Sequence, residues 1–270
     1  MLISVVIATY NSEATLGECL DSLVDQTFTD FEVIIKDGGS SDGTLDIVDK
    51  YKDLMSMKVI SSSDFGVYDA WNIALKEVDG DWVTFFGSDD LINSKCSLEK
   101  IANEISQLDL DIDMIFGKNI IIDIDGKVQE ELGESWDNAK LELDKKMSVR
   151  HPGSFYKSSL VNKLNGFDDK FKIIGDYDFV IRASDVCRAT FYDYSIVKHR
   201  IGGLSISPSR CMDIIKETIQ LRRKHRLSPY FYIDKLFIKR FVLYTLSKTM
   251  GEKMSVSFFN GYKKLLKIIR

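Results

Sequence analysis

VIIKDGGSSDGT, residues 33–44, joins a run of β-branched residues to a polar, glycine-rich turn. Apolar residues that continue without alternation are typical of a strand that is buried on both faces of a sheet. Similar runs alternate with helical patterns along the first half of the chain, with strands at 3–8, 32–36, 58–60 and 82–86 and helices at 12–24, from 44 onward and at 67–76. This βαβα order predicts a doubly wound, mainly parallel α/β sheet with a Rossmann-like half.

The chain changes in style after residue 90. A helix, a hairpin around the turn Asp125-Gly126, a short strand and two more helices are predicted at 95–107, 119–130, 151–156, 158–164 and 176–184. Mixed elements after a Rossmann-like half are typical of an acceptor-side subdomain built on the same sheet.

The composition is that of a folded protein without a cysteine-based metal site. Hydrophobic residues make up 44% of the 270 residues and only 3 residues are proline, which leaves little room for disordered linkers. No apolar run approaches the roughly 18 residues of a membrane-spanning helix. The four cysteines lie far apart without a C-x-x-C pair, which argues against zinc and against a disulfide framework. Because no membrane-spanning run is present, we expect the protein to stay in the cytoplasm.

Charge is distributed unevenly along the chain. Residues 216–270 contain 14 Lys and Arg against 3 Asp and Glu, whereas residues 1–215 contain 22 against 38. The acidic body makes nucleic-acid binding an unfavourable interpretation. The basic tail, with apolar residues between its charges, suits an anionic membrane surface. We expect a catalytic domain at 1–210 and a basic, amphipathic helical extension at 211–270; an apolar stripe that packs on the domain or on a second copy is the alternative.

Acidic residues follow three of the four predicted parallel strands. Asp37 comes after the second strand, Asp64 after the third and Asp89-Asp90 after the fourth. Because ligands of such sheets bind beyond the carboxyl ends of the strands, these carboxylates mark the expected site. Asp37 could accept a hydrogen bond from a nucleotide base, although an ordinary turn with Asp42 as a helix cap explains the same pattern.

The adjacent carboxylates Asp89 and Asp90 indicate a metal site. A divalent cation that bridges a protein carboxylate and a diphosphate would relieve their repulsion, and hard oxygen ligands favour Mn²⁺ or Mg²⁺. A solvated acidic turn is the alternative. The sequence has neither a G-x-G-x-x-G motif after the first strand nor a G-x-x-x-x-G-K-[ST] motif, which disfavours a nicotinamide dehydrogenase and a P-loop kinase.

Several segments together resemble glycosyltransferase family 2, which has the GT-A fold. The resemblance covers about residues 2–205 and lies in the segments 4–11, 33–44, 64–72, 85–90, 166–168 and 176–182. The segment 64–72 is similar to a D-x-G-[IV]-Y-D-A-x-N stretch of members that build bacterial surface polysaccharides. The basic tail has no counterpart.

The resemblance implies roles for individual residues. It places Asp90 on the metal and Asp176 as the catalytic base. A nucleotide-binding group is implied at Thr9, Tyr10, Asn11, Asp37, Asp64, Gly66, Asp69 and Asp89.

This chain departs from the family pattern at two places. The first position of the usual D-x-D is Ser88, and the frequent Glu-Asp pair at the base is Gly175-Asp176. Asp178 is therefore a rival for the role of base. The two carboxylates differ by about 200° of rotation on a helix, so only one of them can face the donor.

Two further residues are candidates for contacts with the acceptor or the diphosphate. His151 begins the acceptor-side segment, but a lone histidine is more often structural. Arg200 precedes a segment that resembles the family's loop after the last strand, where it could bind phosphate or lie on the surface.

The resemblance implies an inverting, metal-dependent glycosyltransferase that moves a sugar, hexosyl or N-acetylhexosaminyl, from a nucleotide diphosphate donor to an acceptor hydroxyl. Family habit favours a UDP-sugar. The expected acceptor is a lipid-linked oligosaccharide in lipopolysaccharide O-antigen, capsule or exopolysaccharide synthesis, met at the inner face of the cytoplasmic membrane by a peripheral protein. A homo-oligomer is left open. The alternatives are a sugar nucleotidyltransferase, for which the first loop lacks the Gly-rich basic pattern, and a non-catalytic nucleotide-sugar-binding module.

Overall fold

Nine strands of the described chain form one mixed sheet in the order β3-β2-β1-β4-β8-β6-β9-β5, with β7 paired to β6. The structure, a computed structural model, describes residues 2–123, 125–200, 210–227 and 235–251. The strands are β1 (Ile3–Thr9), β2 (Phe31–Asp37), β3 (Met57–Ser61), β4 (Trp82–Gly87), β5 (Leu91–Ile92), β6 (Ile112–Ile122), β7 (Val128–Leu132), β8 (Ser154–Lys157) and β9 (Arg188–Arg200).

The helices of the first 200 residues alternate with these strands. They are α1 (Leu16–Val24), α2 (Thr44–Tyr51), α3 (Val67–Ala74) with a 3-10 turn at Leu75–Glu77, α4 (Ser97–Gln107), α5 (Trp136–Glu142), α6 (Ser158–Lys163) and α7 (Gly175–Ser184). The chain divides into two compact units, residues 1–200 and 201–270.

The predicted α/β sheet is confirmed. β1 pairs in parallel with β2 and β4, and β2 pairs in parallel with β3, as expected for a Rossmann-like half. The residues of β1, β2 and β4 are almost all buried because helices cover both faces of the sheet. The other half is mixed: β8 runs antiparallel to β4 and β6, whereas β6 and β9 form a long parallel pair.

One local prediction differs from the structure. The helix predicted from residue 12 begins at Leu16, because Ser12 donates its backbone N–H to Thr44 Oγ1 at 2.7 Å and is held in a turn. The predicted hairpin is formed by β6 and β7, with residue 124 outside the described residues. The strand β5 and the helix α5 had no recognised signal in the sequence.

The second unit contains two described helices, α8 (Cys211–Lys224) and α9 (Lys235–Met250), which pack on each other. On α9, the side chains of Ile238, Phe241 and Val242 are exposed. Among the described residues, none of the helices combines the length and the apolar character needed to span a bilayer. The apolar residues 265–269 of the predicted basic extension lie outside the described residues.

Candidate active site

The carboxyl ends of the first four parallel strands meet at one level of the sheet. Thr9 of β1 pairs with Asp37 of β2, Asp37 pairs with Ser61 of β3, and Ala8 pairs with Gly87 of β4. The loops that follow these strands are therefore neighbours. The strand order reverses at β1, which lies between β2 and β4, and ligands of doubly wound sheets bind at such a switch point.

The loop after β1 presents an aromatic ring above a close-packed backbone. Tyr10 is 65% exposed, and a Cβ added to Gly38 would lie 3.2 Å from its ring. Asn11 adopts a positive φ of 48°, and its Oδ1 accepts the N–H of Ser41 at 2.9 Å. Thr9 is buried, and its Oγ1 has no partner among the described residues. The three predicted nucleotide-binding residues of this loop thus lie at the switch point.

Asp37 is fully buried and organises the loop after β2. Its carboxylate accepts the N–H groups of Gly39 and Ser40, both at 3.0 Å, and the hydroxyl of Ser61 at 2.8 Å. Burial by itself would raise the pKa of Asp37, but hydrogen bonds, foremost that from the Ser40 hydroxyl, outweigh it and lower the pKa. Asp37 is therefore an ionised group that shapes the loop, and a nucleotide N–H would have to share it with these donors.

Lys36 is a fully buried cation that ties two of the loops together. Its Nζ donates to the carbonyl oxygens of Asp37 and Ser62, at 2.7 and 2.6 Å, and to Asp64 Oδ2 at 2.8 Å. The other carboxylate oxygen of Asp64 accepts the N–H of Gly66 at 3.0 Å. Asp64 is thus fixed in position at the edge of the site.

Gly66 and Asp69 define the start of α3. Gly66 has a φ of 119°, which a residue with a side chain rarely adopts. Asp69 Oδ2 accepts the N–H of the exposed Phe65 at 2.9 Å. In this structure both residues fix the shape of the loop that carries Asp64.

Asp90 is almost fully buried, and its two oxygens have different partners. Oδ2 accepts the N–H of Gly87 at 2.9 Å, and Oδ1 lies 2.7 Å from His199 Nδ1. The histidine is 109 residues away in the sequence. It reaches Asp90 because β5, which follows Asp90 directly, pairs with β9 at Leu91 and Lys198.

Asp89, Asp90 and His199 form a polar group that contains two carboxylates and an imidazole ring. Burial raises the pKa of Asp89, and the neighbouring charge of Asp90 raises it further. Burial would lower the pKa of His199, but Asp90 outweighs that effect and raises it. Ser88 donates to the hydroxyl of Ser12 at 2.8 Å, away from this group. Within the described ranges no cluster of three or more acidic, His or Cys side chains has the arrangement of a metal site.

Asp176 lies in the first turn of α7, in the mixed half of the chain and not in the loops that follow the four parallel strands. Its Oδ1 accepts the N–H of Tyr177 at 2.9 Å and lies 3.1 Å from the hydroxyl of Tyr68. Burial raises the pKa of Asp176, and the two hydrogen bonds oppose this rise without cancelling it. His199 is close enough to lower it further, so the candidate base and the candidate metal site are within electrostatic reach of each other.

Asp178, the rival carboxylate, is fully buried and paired. Its Oδ2 accepts from Arg182 Nε at 2.8 Å, and the same guanidinium donates to the carbonyl oxygens of Leu164 and Gly166 at 2.8 and 2.9 Å. The ion pair thus fastens α7 to the turn before it. Its position is structural, on the face of α7 that is turned into the protein.

His151 lies in a buried aromatic cluster that joins the two halves of the sheet. Its ring stacks on Phe85 at 5.8 Å and its Nδ1 lies 2.9 Å from the Tyr156 hydroxyl. Burial lowers the pKa of His151 to about 3, so its ring is neutral. Its Nε2 has no partner among the described residues. The other members of the cluster are Trp71, Phe167 and Phe179.

Arg200, the second candidate for a phosphate contact, ends β9. It forms an ion pair with Glu18 of α1 at 2.5 Å, and its side chain is 11% exposed. Arg200 is thus next to His199 in the sequence, and its guanidinium is paired with the carboxylate of Glu18.

Three residues of the site were not recognised in the sequence. His199 is not among the residues predicted from the sequence, because no local pattern indicates a partner 109 residues away. Tyr68 was read only as part of a motif, since an aromatic residue on a helix is usually a core residue. Lys36 ends the strand pattern 32–36, and a lysine that directly follows the β-branched run 33–35 was the one available signal that a buried cation needed a partner.

A parallel half that ends in fixed carboxylates at its switch point, with a further carboxylate on the opposite half, defines a glycosyltransferase of the GT-A fold. Known proteins bear out this class. The profile of Glycosyl transferase family 2 matches residues 4–160, and the chain belongs to this family. The sugar nucleotidyltransferase alternative is thereby removed.

Relatives include the PGL/p-HBAD biosynthesis glycosyltransferases of Mycobacterium bovis and Mycobacterium tuberculosis. They are 31% identical over 212 residues, which is 76% of this chain and 79% of theirs. The poly(ribitol-phosphate) beta-N-acetylglucosaminyltransferase TarS of Staphylococcus aureus is 39% identical over 124 residues, but these are 44% of this chain and only 22% of TarS.

Solved structures share the fold. The crystal structure of TarS 1-349 in complex with UDP-GlcNAc has a TM-score of 0.67 at 25% identity and covers 93% of this chain and 75% of that one. This chain covers 43% of the longer TarS structure. The mannosyltransferase PcManGT from Pyrobaculum calidifontis, in complex with GDP-Man and Mn²⁺, has a TM-score of 0.63 at 14% identity, over 97% of this chain and 79% of that one.

The buried position of Lys36 leads to a prediction about stability. Lys36→Met should lower the free energy of unfolding by about 3 kcal/mol, because three acceptors, among them the carboxylate of Asp64, lose their cation. Urea denaturation followed by tryptophan fluorescence measures the change. Lys52→Met is the matched control: its ion pair with Asp49 is exposed, and its loss should cost less than about 0.5 kcal/mol. Equal effects of the two substitutions would show that Lys36 does not hold the loops.

Proposed function

We propose that the chain is an inverting, metal-dependent glycosyltransferase that moves a hexosyl or N-acetylhexosaminyl group from a UDP-sugar to a hydroxyl of a cell-surface glycan. The observation that carries the proposal is the arrangement of Asp176: one oxygen is hydrogen-bonded to the protein and the other has no partner among the described residues. A carboxylate so presented, within electrostatic reach of His199 and hence of Asp90, suits a general base opposite a diphosphate.

The donor would bind across the four strand-end loops. The exposed ring of Tyr10 suits a nucleotide base, and Thr9, Asn11, Asp37 and Asp64 lie around it at the switch point. The likeness to TarS 1-349 in complex with UDP-GlcNAc supports a uridine diphosphate donor. Gly66 and Asp69 would contribute by holding the loop of Asp64.

Transfer would take place in one displacement. Asp176 Oδ2 takes the proton of the acceptor hydroxyl while the acceptor oxygen forms a bond to the anomeric carbon from the face opposite the diphosphate. The bond between that carbon and the diphosphate oxygen breaks, and its electron pair leaves with the diphosphate. A single displacement inverts the anomeric configuration, and no covalent nucleophile from the protein is needed.

Asp89, Asp90 and His199 bring carboxylate oxygens and an imidazole nitrogen together, but with Asp90 Oδ1 on His199 Nδ1 these described side chains do not have the arrangement of a formed metal site. Carboxylate oxygens and an imidazole nitrogen are ligands that Mn²⁺ accepts, and Mg²⁺ accepts the oxygens. Asp90 and His199 would hold the ion, with Asp89 beside them and the donor phosphates completing the shell. A cation bound there would offset the charge that develops on the departing diphosphate.

The relatives indicate the class of acceptor. The names of the mycobacterial relatives assign them to PGL/p-HBAD biosynthesis, and the name of TarS gives poly(ribitol-phosphate) as its acceptor. We extend this class to the present chain as a lipid-linked oligosaccharide of lipopolysaccharide, capsule or exopolysaccharide. His151 would help to fix the shape of the acceptor site from within the aromatic cluster. Arg200 would lie at the edge of the acceptor site.

The basic extension 211–270, which makes up most of the second unit, would hold the enzyme on the inner face of the cytoplasmic membrane. The sequence of α9 contains four Lys and Arg residues and no acidic residue. Its exposed Ile238, Phe241 and Val242 are spaced three and four residues apart and so share one face. Apolar contact and attraction of about 1 kcal/mol per basic residue would together give reversible binding. Alternatively, the exposed apolar face of α9 would contact a second copy of the chain.

The assignment of the base predicts opposite effects for two neighbouring carboxylates. With a panel of UDP-sugars and Mn²⁺, release of UDP identifies the donor, water acting as acceptor. Asp176→Asn should reduce this release by at least about 100-fold with donor affinity retained, because proton removal is lost. Asp178→Asn should mainly lower the melting temperature, because it weakens the pair with Arg182. An inactive Asp178→Asn beside an active Asp176→Asn would reverse the assignment.

The metal proposal predicts that excess EDTA abolishes UDP release and that Mn²⁺ restores it. His199→Ala and Asp90→Asn should weaken Mn²⁺ binding, measured by calorimetry on the free protein, by about 10-fold or more. His225→Ala is the control, since this histidine lies in the second unit and should leave Mn²⁺ binding unchanged. Full activity in EDTA would refute the proposal.

The membrane proposal predicts flotation of the full chain with anionic liposomes at low salt and its release at high salt. The double substitution Ile238→Glu and Phe241→Glu should abolish flotation. Leu110→Glu is the control, because Leu110 is equally apolar and 96% exposed but lies in the first unit. If the double variant floats like the wild type while its apparent mass in solution falls, α9 contacts a second copy instead.

A further inference from the structure

The two oxygens of Asp176 have unequal surroundings. Oδ1 accepts the backbone N–H of Tyr177 at 2.9 Å and lies 3.1 Å from the hydroxyl of Tyr68. No described group donates to Oδ2. Two contacts on one oxygen fix the rotation of the carboxylate, and the second oxygen is thereby presented to whatever binds on the acceptor side.

The hydroxyl of Tyr68 has two acceptors and one hydrogen. Its oxygen lies 2.9 Å from the carbonyl oxygen of Ile173 and 3.1 Å from Asp176 Oδ1. A phenol can donate to only one of them at a time. Which acceptor receives the hydrogen must therefore depend on the charge of Asp176.

We propose that Tyr68 is a positioning residue for the base: its hydroxyl donates to Asp176 Oδ1 while the carboxylate is ionised, and turns to the Ile173 carbonyl once Asp176 has taken the acceptor proton. The proposal rests on the role of Asp176 given above. The transferred proton moves from the acceptor oxygen to Asp176 Oδ2, and the Tyr68 hydrogen stays on its own oxygen throughout. In both states Asp176 Oδ1 keeps the N–H of Tyr177, and the Tyr68 hydroxyl keeps one of its two acceptors.

The ring of Tyr68 is held where this exchange requires it. Tyr68 is 4% exposed and packs edge-on against Trp71, with ring centroids 5.5 Å apart. Gly175 supplies the space: a Cβ at this position would lie 2.8 Å from the tyrosine ring. The departure of this chain from the Glu-Asp pattern of its family therefore coincides with the close approach of Tyr68 to the base.

Tyr68 also connects the base to the donor loops. It lies in the first turn of α3, which begins directly after the loop of Asp64 and Gly66. One short helix thus carries both a wall of the proposed nucleotide site and the hydroxyl that orients the base.

The electrostatic consequence has a definite sign. The groups that face Asp176 are Tyr68 from α3, His199 from β9, Arg150 from the segment before β8, and Tyr156 from β8. Burial raises the pKa of Asp176, and the hydrogen bond from Tyr68 opposes the rise because it favours the ionised form. Loss of that bond should raise the pKa of Asp176. On acidification, Asp176 would then become protonated at a higher pH than in the wild type.

Two substitutions remove the contact in different ways. Tyr68→Phe deletes the hydroxyl, and Gly175→Ala keeps it but pushes the ring away. Tyr51→Phe is the matched control, because the Tyr51 hydroxyl also faces a carbonyl oxygen and an aspartate, those of Gly17 and Asp21, away from the site. Two readouts are needed: carboxyl ¹³C titration of protein labelled at aspartate Cγ, with the Asp176 signal identified by its absence in Asp176→Asn, and the pH profile of UDP release.

In Tyr68→Phe and Gly175→Ala we expect the midpoint of the Asp176 ¹³C titration and the acid limb of the kcat profile to move together to higher pH. The kcat near neutral pH should fall about 10-fold, whereas the KM for the UDP-sugar should change by less than about twofold. Tyr51→Phe should match the wild type. If both variants fold, as shown by circular dichroism, and titrate like the wild type, the proposal is wrong. If Tyr68→Phe fails to fold, Gly175→Ala decides.

The two levels of the hypothesis fail separately. Full UDP release by Asp176→Asn would refute the assignment of the base, whereas the ¹³C titration would still show whether Tyr68 controls this carboxylate. An inactive Asp176→Asn together with an unshifted Tyr68→Phe would refute the role of Tyr68 alone.

Discussion

Four parallel strands that end at the same level are the constraint on which the site depends. The pairing of Thr9 with Asp37, and of Asp37 with Ser61, leaves no freedom in where the following loops begin. A slip of one residue would turn Asp37 to the other face of the sheet and separate it from the backbone donors that keep it ionised. The buried cation of Lys36 then joins the second and third loops, so these loops are held in place by groups of the protein itself.

The other half of the site is attached to this frame by non-local contacts. The pairing of β5 with β9 brings His199 to Asp90, although β5 is only two residues long. Asn72 of α3 binds both backbone groups of Phe167, each at 2.8 Å, and so holds the segment that leads to α7. Both devices fix a side chain of one half against a side chain or backbone of the other. Catalysis by two groups from opposite halves requires this kind of rigidity.

How much could be predicted depended on whether the signal was local. The α/β order and the carboxylates at strand ends followed from runs of apolar residues and the loops next to them, and both were found. The start of α1 was missed because Ser12 is held by Thr44, a partner 32 residues away. The choice between Asp176 and Asp178 stayed open in the sequence, since only the structure pairs Asp178 with Arg182. His199 was hidden for the same reason: its position depends on a strand too short to leave a pattern.

The aromatic cluster around His151 sets a limit on the acidity that the folded protein tolerates. The folded state holds this ring neutral down to a pKa of about 3, whereas an unfolded chain protonates it near pH 6.5. Between these values the unfolded state binds more protons, so stability falls as the pH is lowered through this window. The proton would have to be accommodated among Phe85, Phe167 and Tyr156, whose rings contact that of His151. The contribution of this neutral buried ring to stability is therefore kept in full only while the pH stays close to neutral.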